Sequence, residues 1–219
     1  MFIRYCAYAI VNQLRVLILC PTGQLVASYR QRLPESDYIR IETIHAGLHI
    51  YRGEEDLVQH CPPSTLRLYD AILIDECSQL DNDVARKLKY AIDELPQDPF
   101  VALAADYYQL QPVGSGGAMR SICQRLPTIT LKTIHRTKDR ELLDFLRCCR
   151  TKQPRRSELF DFFLDRRFRG RHSNMKLLMR AVDYGVKLEG TSSHPFVWLC
   201  VTNSGADLIN QSVLYSKGL

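Results

Sequence analysis

The stretch AILIDECSQL, residues 71–80, places two adjacent carboxylates, Asp75 and Glu76, directly after four small or apolar residues. An apolar run that ends on acids is typical of a strand in a parallel sheet, where the carboxyl ends of the strands open onto the ligand crevice. Asp75 would then face a metal ion. The same residues also fit an acidic N-cap and first turn of a helix, so their surroundings must decide between the two interpretations.

Further short apolar runs flank this stretch and alternate with helical patterns. RVLILC (15–20) and FVALAA (100–105) are predicted strands, and IRIETIHAGL (39–48) is predicted as a short strand followed by a turn. Apolar residues three and four apart predict helices at 2–14, 82–95 and 139–152. Strands alternating with helices predict an α/β domain with a parallel sheet and helices on both faces. Two more strands are predicted at ITLKTI (129–134) and FVWLCVTN (196–203), the second opening another α/β unit.

Composition sets the class of protein. The chain has 219 residues, of which 46% are hydrophobic and 24% charged, which is enough for one full domain and part of another. No apolar run reaches the roughly 18 residues of a membrane span, and the N-terminus has no cleavage site of small residues. Eight cysteines occur without CxxC spacing, which disfavours zinc and a disulfide framework. We therefore expect a soluble intracellular protein without a membrane partner.

Positive charge is concentrated in the second half of the chain. Residues 132–187 contain 16 Lys or Arg and 7 Asp or Glu, a local excess of +9 within a net charge of +5. Such a segment fits a track for a polyanion, and it fits a solvated surface equally well.

Polar residues follow each predicted strand in a way that suits phosphoryl transfer. Asp75 and Glu76 end one strand, Asp106 and Gln109 follow the next, and Arg136 follows a third. An Asp holds magnesium through its water shell, a Glu polarises the attacking water, a Gln senses the γ-phosphate and an Arg neutralises developing charge.

With these residues in place, the chain resembles a superfamily 1 DNA helicase of the Pif and RecD branch. Six segments follow the family order across nearly the whole chain: PTG (21–23) resembles motif Ia, TIHAGL (43–48) the TIHxxF segment, LIDECSQL (73–80) the DExx box, ADYYQLQPV (105–113) motif III, HRTKDRELLDFL (135–146) motif IV, and WLCVTNSGADLIN (198–210) the TNxxVDxIN stretch. The resemblance implies a RecA-like P-loop NTPase fold, incomplete at its N-terminus, with a first domain at 1–131 and, at 132–219, a basic helical connector and the start of a second RecA-like domain.

The resemblance also implies roles for individual residues. Asp75 would be the magnesium carboxylate, Glu76 the general base for ATP hydrolysis, Gln109 the coupling residue and Arg136 the arginine finger, with Asp106 in the cofactor site. The residues that would touch single-stranded DNA are Thr22, Gly23, Thr43 and His45. ATP and Mg²⁺ would be the cofactors, single-stranded DNA the partner, and the protein a monomer.

The phosphate-binding loop of the family, G-x-x-x-x-G-K-[ST], has no counterpart in this sequence. No Gly-Lys dipeptide occurs, and the Gly-rich GSGG (114–117) lacks the lysine. Ala105 also replaces the usual glycine of motif III. Helix 2–14 is interpreted as the helix that follows the loop, and motifs V and VI would lie beyond Leu219. We therefore expect the loop to be encoded upstream of Met1, and the chain alone to bind ATP poorly and to be inactive.

Several residues also have simpler interpretations. His45 fits a structural histidine, Arg136 fits a partner of Asp139 or Asp144 on the following helix, and Tyr107 and Tyr108 fit either base stacking or core packing. Six arginines fit either a nucleic-acid surface or a solvated face: Arg155, Arg156, Arg166, Arg167, Arg169 and Arg171.

Three functions are compatible with the sequence. The favoured one is a partial ATP-dependent DNA helicase, and the alternatives are a catalytically silent binder of single-stranded nucleic acid and a non-functional gene fragment. Polarity of translocation, preference for DNA or RNA, and a nuclear, mitochondrial or bacterial cytoplasmic location are not distinguished.

Overall fold

The chain forms two compact units, Met1–His135 and Arg136–Leu219. The computed structural model describes residues 1–50, 64–110, 112, 116–135, 137–162, 174–191, 197–200 and 202–218. The domain boundary between residues 131 and 132 was implied by the family resemblance, and it stays a prediction.

A four-stranded parallel sheet forms the centre of the first unit. Its order is β2-β1-β3-β4, so the strand after the opening helix lies inside the sheet and the second strand lies at one edge. In the central register, Ile18 lies between Ile41 and Leu73, and Leu73 is paired in turn with Ala102. The strands are β1 (Val16–Cys20), β2 (Ile39–Thr43), β3 (Ala71–Ile74) and β4 (Phe100–Leu103).

Helices cover both faces of this sheet because side chains alternate along each strand. Leu17 and Leu19 of β1 face one core, which contains residues of α4 and α5, whereas Val16 and Ile18 face the other, which contains residues of α1 and α2. All residues of β1 and β3 are buried, as expected for strands covered on two sides. The helices of this unit are α1 (Phe2–Val11), α2 (Gly23–Arg32), α3 (Ile44–Gly47), α4 (Asn82–Asp93) and α5 (Ala118–Cys123), with 3₁₀ turns at Ser64–Leu68 and Cys77–Gln79.

The α/β class predicted from the sequence is therefore confirmed, and the predicted helices at 2–14 and 82–95 correspond to α1 and α4. The predicted strand at 129–134 is wrong, because residues 126–135 contain no strand. Its apolar side chains are exposed, Ile129 by 86% and Leu131 by 74%. A strand needs a hydrogen-bonded neighbour, and β4 has only β3 as a neighbour among the described strands.

Helices make up the second unit in the part that the structure describes. Its helices are α6 (Arg140–Thr151), α7 (Arg156–Phe162), α8 (Asn174–Thr191) and α9 (Asn203–Ser216). Val182 of α8 is fully buried, and Gly185 lies so close to Trp198 that a Cβ atom there would be 2.2 Å from the indole ring. Within the described ranges, no helix combines the length and apolar character needed to cross a bilayer.

The predicted strand at 196–203 is also wrong where the structure describes it. Residues 197–200 form no strand, and Leu199 is 95% exposed. Thr202 instead caps α9, its Oγ1 accepting the N–H of Gly205 at 3.1 Å. The apolar residues have no paired strand in the described part of this unit, so their pattern alone does not produce a strand.

Candidate functional site

The predicted site residues of the first unit lie where the strands of the sheet terminate, and this end is called the carboxyl edge of the sheet here. All four strands are parallel, so their carboxyl ends meet there. Thr43 is the last residue of β2 and His45 follows it, and Thr22 and Gly23 follow β1. Next along the edge, Asp75 and Glu76 follow β3, and Asp106 follows β4. The residues predicted to touch nucleic acid thus occupy the β2–β1 half of the edge, and those predicted for nucleotide occupy the β3–β4 half.

Asp75 is fixed by hydrogen bonds from three elements. Its N–H donates to the carbonyl of Leu19 at 3.0 Å. Its Oδ1 accepts the N–H of Glu76 at 3.0 Å, and its Oδ2 accepts the hydroxyl of Tyr29 at 2.6 Å. Tyr29 lies on α2, 46 residues earlier, and is only 9% exposed. The carboxylate is therefore oriented before any ligand arrives.

Sequence reasoning missed Tyr29. Its hydroxyl is the polar tip of a side chain on the buried face of α2, and a buried tyrosine usually needs a hydrogen-bond partner. Burial, followed by the hydrogen bond to the Asp75 carboxylate, raises the pKa of Tyr29 far above its ordinary value. The hydroxyl therefore remains a donor over the whole physiological pH range.

A magnesium ion fits beside Asp75. Each carboxylate oxygen has about two acceptor sites and uses one of them here, so both oxygens can still accept hydrogen bonds from metal-bound water. Mg²⁺ keeps several waters and needs only one or two protein carboxylates together with phosphate oxygens. In the described ranges, no group of three or more metal-binding side chains occurs.

Glu76 adopts a left-handed backbone conformation, with φ 48° and ψ 37°. For a residue with a side chain this conformation costs on the order of 1–3 kcal/mol and persists only where the surrounding structure imposes it. Hydrogen bonds from two backbone N–H groups hold this conformation. The N–H of Glu76 donates to Oδ1 of Asp75, and the N–H of Cys77 donates to the carbonyl of Ala104 at 2.9 Å. Glu76 is partly buried at this turn.

Ser78 connects the turn after β3 to the loop after β4. It is 4% exposed, and its Oγ accepts the N–H of Asp106 at 3.2 Å. The Asp106 carboxylate accepts the N–H of Tyr108 at 3.1 Å, and the main-chain carbonyl of Asp106 accepts the N–H of Gln109 at 3.2 Å. The structure thus joins the two predicted nucleotide segments through a buried hydroxyl and leaves Gln109 at the surface.

Tyr107 and Tyr108 have different environments. The ring of Tyr107 is partly buried, and the Arg120 guanidinium of α5 lies 5.6 Å from its centroid. Tyr108 is 67% exposed. Core packing is therefore the better interpretation of Tyr107, whereas Tyr108 is accessible to a ligand.

The residues predicted to contact DNA also shape the backbone. The Oγ1 atoms of Thr22 and Thr43 accept the N–H groups of Leu25 at 3.3 Å and Ala46 at 3.2 Å, capping α2 and α3. Each threonine keeps its own hydroxyl hydrogen as a donor.

Gly23 and His45 are exposed beside these caps. A Cβ atom on Gly23 would meet nothing within 4 Å, whereas one on Gly47, also in TIHAGL, would lie 2.5 Å from Cδ2 of the fully buried Leu19. Close packing against Leu19 therefore explains the glycine at position 47, whereas no neighbouring atom requires a glycine at position 23.

The predicted arginine finger, Arg136, lies outside the described residues. Its two alternative partners have contacts of their own, since Asp139 caps α6 by accepting the N–H of Leu142 at 3.2 Å and Asp144 pairs with Arg147 at 3.2 Å. Arg155 and Arg156 are exposed. Arg166, Arg167, Arg169 and Arg171 also lie outside the described ranges.

Comparison with known proteins identifies the family. A family model described as an AAA domain matches residues 7–168, and the chain belongs to this family. The Bacteroides Pif1 helicase in complex with ADP-AlF3 and ssDNA has a similar fold, with 18% identity and a TM-score of 0.55 over 92% of this chain and 47% of that one. A double mutant of the same helicase has 16% identity and a TM-score of 0.52 over 95% of this chain and 49% of that one.

The chain spans about half the length of these helicase structures. No curated protein matches it significantly. The predicted resemblance to helicases of the Pif branch is confirmed for the fold, which is the α/β fold of the P-loop NTPases.

Proposed function

We propose that the chain is part of an ATP-dependent DNA helicase, in which the β2–β1 half of the sheet edge contacts single-stranded DNA and the β3–β4 half supplies the carboxylates for ATP hydrolysis. The observation that carries this proposal is the placement of both residue sets along one edge of a parallel sheet, where α/β proteins bind their ligands. The solved Bacteroides Pif1 complex with ADP-AlF3 and ssDNA supports the same two ligands.

In this proposal the protein residues have separate tasks. Asp75, held by Tyr29 and the Glu76 N–H, orients the water shell of a magnesium ion. When bound, that ion neutralises charge on the phosphate oxygens. Glu76 accepts the proton of the attacking water, and Gln109 and Arg136 respond to the γ-phosphate. Asp106, linked to the same turn through Ser78, contributes to the cofactor site.

The sequence lacks the loop that would hold the triphosphate. Oriented backbone N–H groups and a lysine bind the phosphates in P-loop proteins, and no Gly-Lys dipeptide occurs in these 219 residues. Each such electrostatic group is worth on the order of a few kcal/mol of barrier. We therefore expect this chain by itself to show no ATPase activity that single-stranded DNA stimulates. Stimulated turnover that disappears in Glu76→Gln would contradict that expectation.

A substitution at an N-cap tests the nucleic-acid half of the proposal. In Thr22→Asp, aspartate caps α2 as well as threonine does, but places a negative charge where a phosphate would lie. One such charge contact is worth on the order of 1 kcal/mol, so affinity for a labelled oligothymidine should fall roughly fivefold or more by fluorescence anisotropy. Thr22→Ser keeps the cap without the charge and is the matched control. Equal affinities of the two variants would reject a DNA contact at this position.

Oligonucleotide binding also bears on the second candidate, a catalytically silent binder of single-stranded nucleic acid. Binding that Thr22→Asp weakens and that added ATP and Mg²⁺ leave unchanged fits both the silent binder and a motor fragment without its phosphate-binding loop. A change of DNA affinity with ATP, lost in Asp75→Asn, favours a partial motor. Absence of oligonucleotide binding would contradict both functions and favour a non-functional fragment.

A further inference from the structure

The two outer strands of the sheet differ in how their open sides are protected, and β2 is the protected one. The main-chain groups of Ile41 point away from β1, since the alternate group of Tyr38 accepts the N–H of Val16 in β1 at 2.8 Å. The Arg30 guanidinium of α2 donates to this Ile41 carbonyl at 3.0 Å, and the strand also carries the exposed Arg40. Charged side chains at an outer strand disfavour pairing with another chain.

β4 lacks this protection on its open side, which is the hydrogen-bonding side that faces away from β3. The N–H groups of Phe100 and Ala104 donate toward β3, at 2.9 and 2.8 Å. Because the direction of these groups alternates along a strand, the N–H and C=O groups of Val101 and Leu103 point outward. No strand lies beside them among the described strands, and FVAL carries no charged side chain.

Aromatic side chains lie next to this open side. Phe100, at the start of β4, is 53% exposed. Its ring stacks on Tyr5 of α1 with the centroids 5.3 Å apart, and Tyr8, 57% exposed, lies 6.1 Å from Tyr5. A further strand beside β4 would therefore gain apolar contacts as well as main-chain hydrogen bonds.

The same unit contains a segment with strand character and no partner. Residues 128–134 read TITLKTI and are rich in β-branched side chains, which favour strands. Ile129 is 86% and Leu131 74% exposed, and no main-chain hydrogen bond joins the segment to other described residues. In a strand, Ile129 and Leu131 would lie on the same face, because they are two residues apart.

We propose that the open side of β4 binds residues 128–134 of a second copy of the chain, and that the reciprocal contact forms a symmetric dimer. Addition of an extended segment to an open sheet is a common mode of recognition, in which main-chain hydrogen bonds provide affinity. The outward groups of Val101 and Leu103 gain partners, while Ile129 and Leu131 lie against Phe100. Each copy supplies both surfaces, as a closed two-fold interface requires.

This dimer goes beyond the proposed function, and it differs from the monomer that the family resemblance implies. Sedimentation velocity of the full chain should show a species with twice the monomer mass that dissociates on dilution. In Leu131→Lys, the dissociation constant should rise about tenfold or more, because an apolar side chain is lost from both contacts. The matched control is Leu68→Lys, at an exposed position outside both surfaces, which should leave the constant unchanged.

Three results of this measurement would overturn the proposal. They are a wild-type chain that is monomeric at every concentration, species that keep growing with concentration, and equal effects of Leu131→Lys and Leu68→Lys. Circular dichroism of both variants should match the wild type, since both positions are exposed. The readout is mass, so failure here does not bear on the nucleic-acid proposal.

A synthetic peptide tests whether the contact is a strand. Excess TITLKTI should convert the dimer to a monomer that carries the peptide. The control peptide is N-methylated at its third and fourth residues, which keeps the side chains but removes a donor on both sides of the strand. It should leave the dimer intact, and equal displacement by the two peptides would exclude strand pairing.

Hydrogen exchange locates the pairing within the chain. Amide exchange in residues 128–134 and in β4 should slow as the protein concentration rises and the dimer forms. In Leu131→Lys this concentration dependence should be lost, whereas Leu68→Lys should retain it. Slow exchange of 128–134 in the monomer would mean that the segment pairs within its own copy, and the proposal would be wrong.

Discussion

At the scale of single residues, the sequence indicates the acids but not what holds them. Asp75 and Glu76 are visible as a carboxylate pair after an apolar run. Tyr29 is not visible, because its contact with Asp75 joins residues 46 positions apart and depends on how α2 packs against β3.

Removing the Tyr29 hydroxyl should destabilise the fold. In Tyr29→Phe, the hydrogen bond to a carboxylate is lost, and such bonds are worth about 1.5 kcal/mol or more. Urea unfolding followed by circular dichroism should show that loss. Tyr8→Phe makes the same chemical change at a side chain that is 57% exposed, and should alter the unfolding free energy by less than about 0.5 kcal/mol. Equal stabilities of the two variants would show that the Tyr29 contact contributes nothing.

The alkylation rate of Cys123 should depend on pH in an unusual range. Its pKa is lowered to about 6, so the reactive thiolate accumulates as pH rises from 5 to 7 and the rate with iodoacetamide then levels off. An unperturbed thiol, with a pKa of about 8.5, would continue to react faster up to pH 9 and above. Isotope-coded iodoacetamide measures this rate in the tryptic peptide SICQR (121–125), which contains Cys123, with the urea-unfolded chain as control. Identical profiles for the native and unfolded chains would contradict the prediction.

At the scale of elements, periodicity locates helices well and strands less reliably. The predicted helix at 139–152 corresponds to α6, because a helix forms most of its hydrogen bonds within itself. The predicted strands at 129–134 and 196–203 fail, because a strand exists only beside a partner that local sequence does not reveal. The site follows the same division: residues after paired strands share one edge, whereas Arg136 followed a strand that is not formed.

Helix α4 depends on its N-cap. Oδ1 of Asp81 accepts the N–H groups of Asp83 at 3.0 Å and Val84 at 2.9 Å. Asp81→Ala should therefore lower the unfolding free energy by about 1 kcal/mol, whereas Asp81→Asn should retain most of the cap. Asp98→Ala, at an exposed position before β4, is the control in the same urea titration. A loss in Asp98→Ala as large as that in Asp81→Ala would mean that charge, rather than capping, is responsible.

At the scale of the whole molecule, charge distribution is the property that sequence states most directly. The excess of +9 between residues 132 and 187 needs no fold to be recognised. Whether that charge forms one surface is a matter of three-dimensional placement, and five of its arginines lie outside the described residues. The acidic turn and the strand order, by contrast, become meaningful only once the sheet is assembled.

If this basic segment tracks a phosphate backbone, affinity for single-stranded DNA should fall as salt rises. Each neutralised phosphate contributes about 0.7 to the slope of log K against log salt. The double variant Arg155→Gln, Arg156→Gln removes two exposed charges and should reduce the slope by about 1.4. Arg86→Gln, an exposed charge on α4 outside the segment, should leave the slope unchanged. Salt-independent affinity would exclude a phosphate contact by the segment.

The strand order of the sheet also bears on how the polypeptide emerges during synthesis. β1 is buried completely, yet its partner β3 ends at Ile74, 54 residues after Cys20. A ribosome adds about 5–20 residues per second, so β3 is synthesised on the order of seconds after the VLILC segment of β1. During that interval an apolar segment with strong strand propensity is available to chaperones and to other nascent chains. Translation speed between codons 20 and 74 should therefore influence the yield of soluble protein.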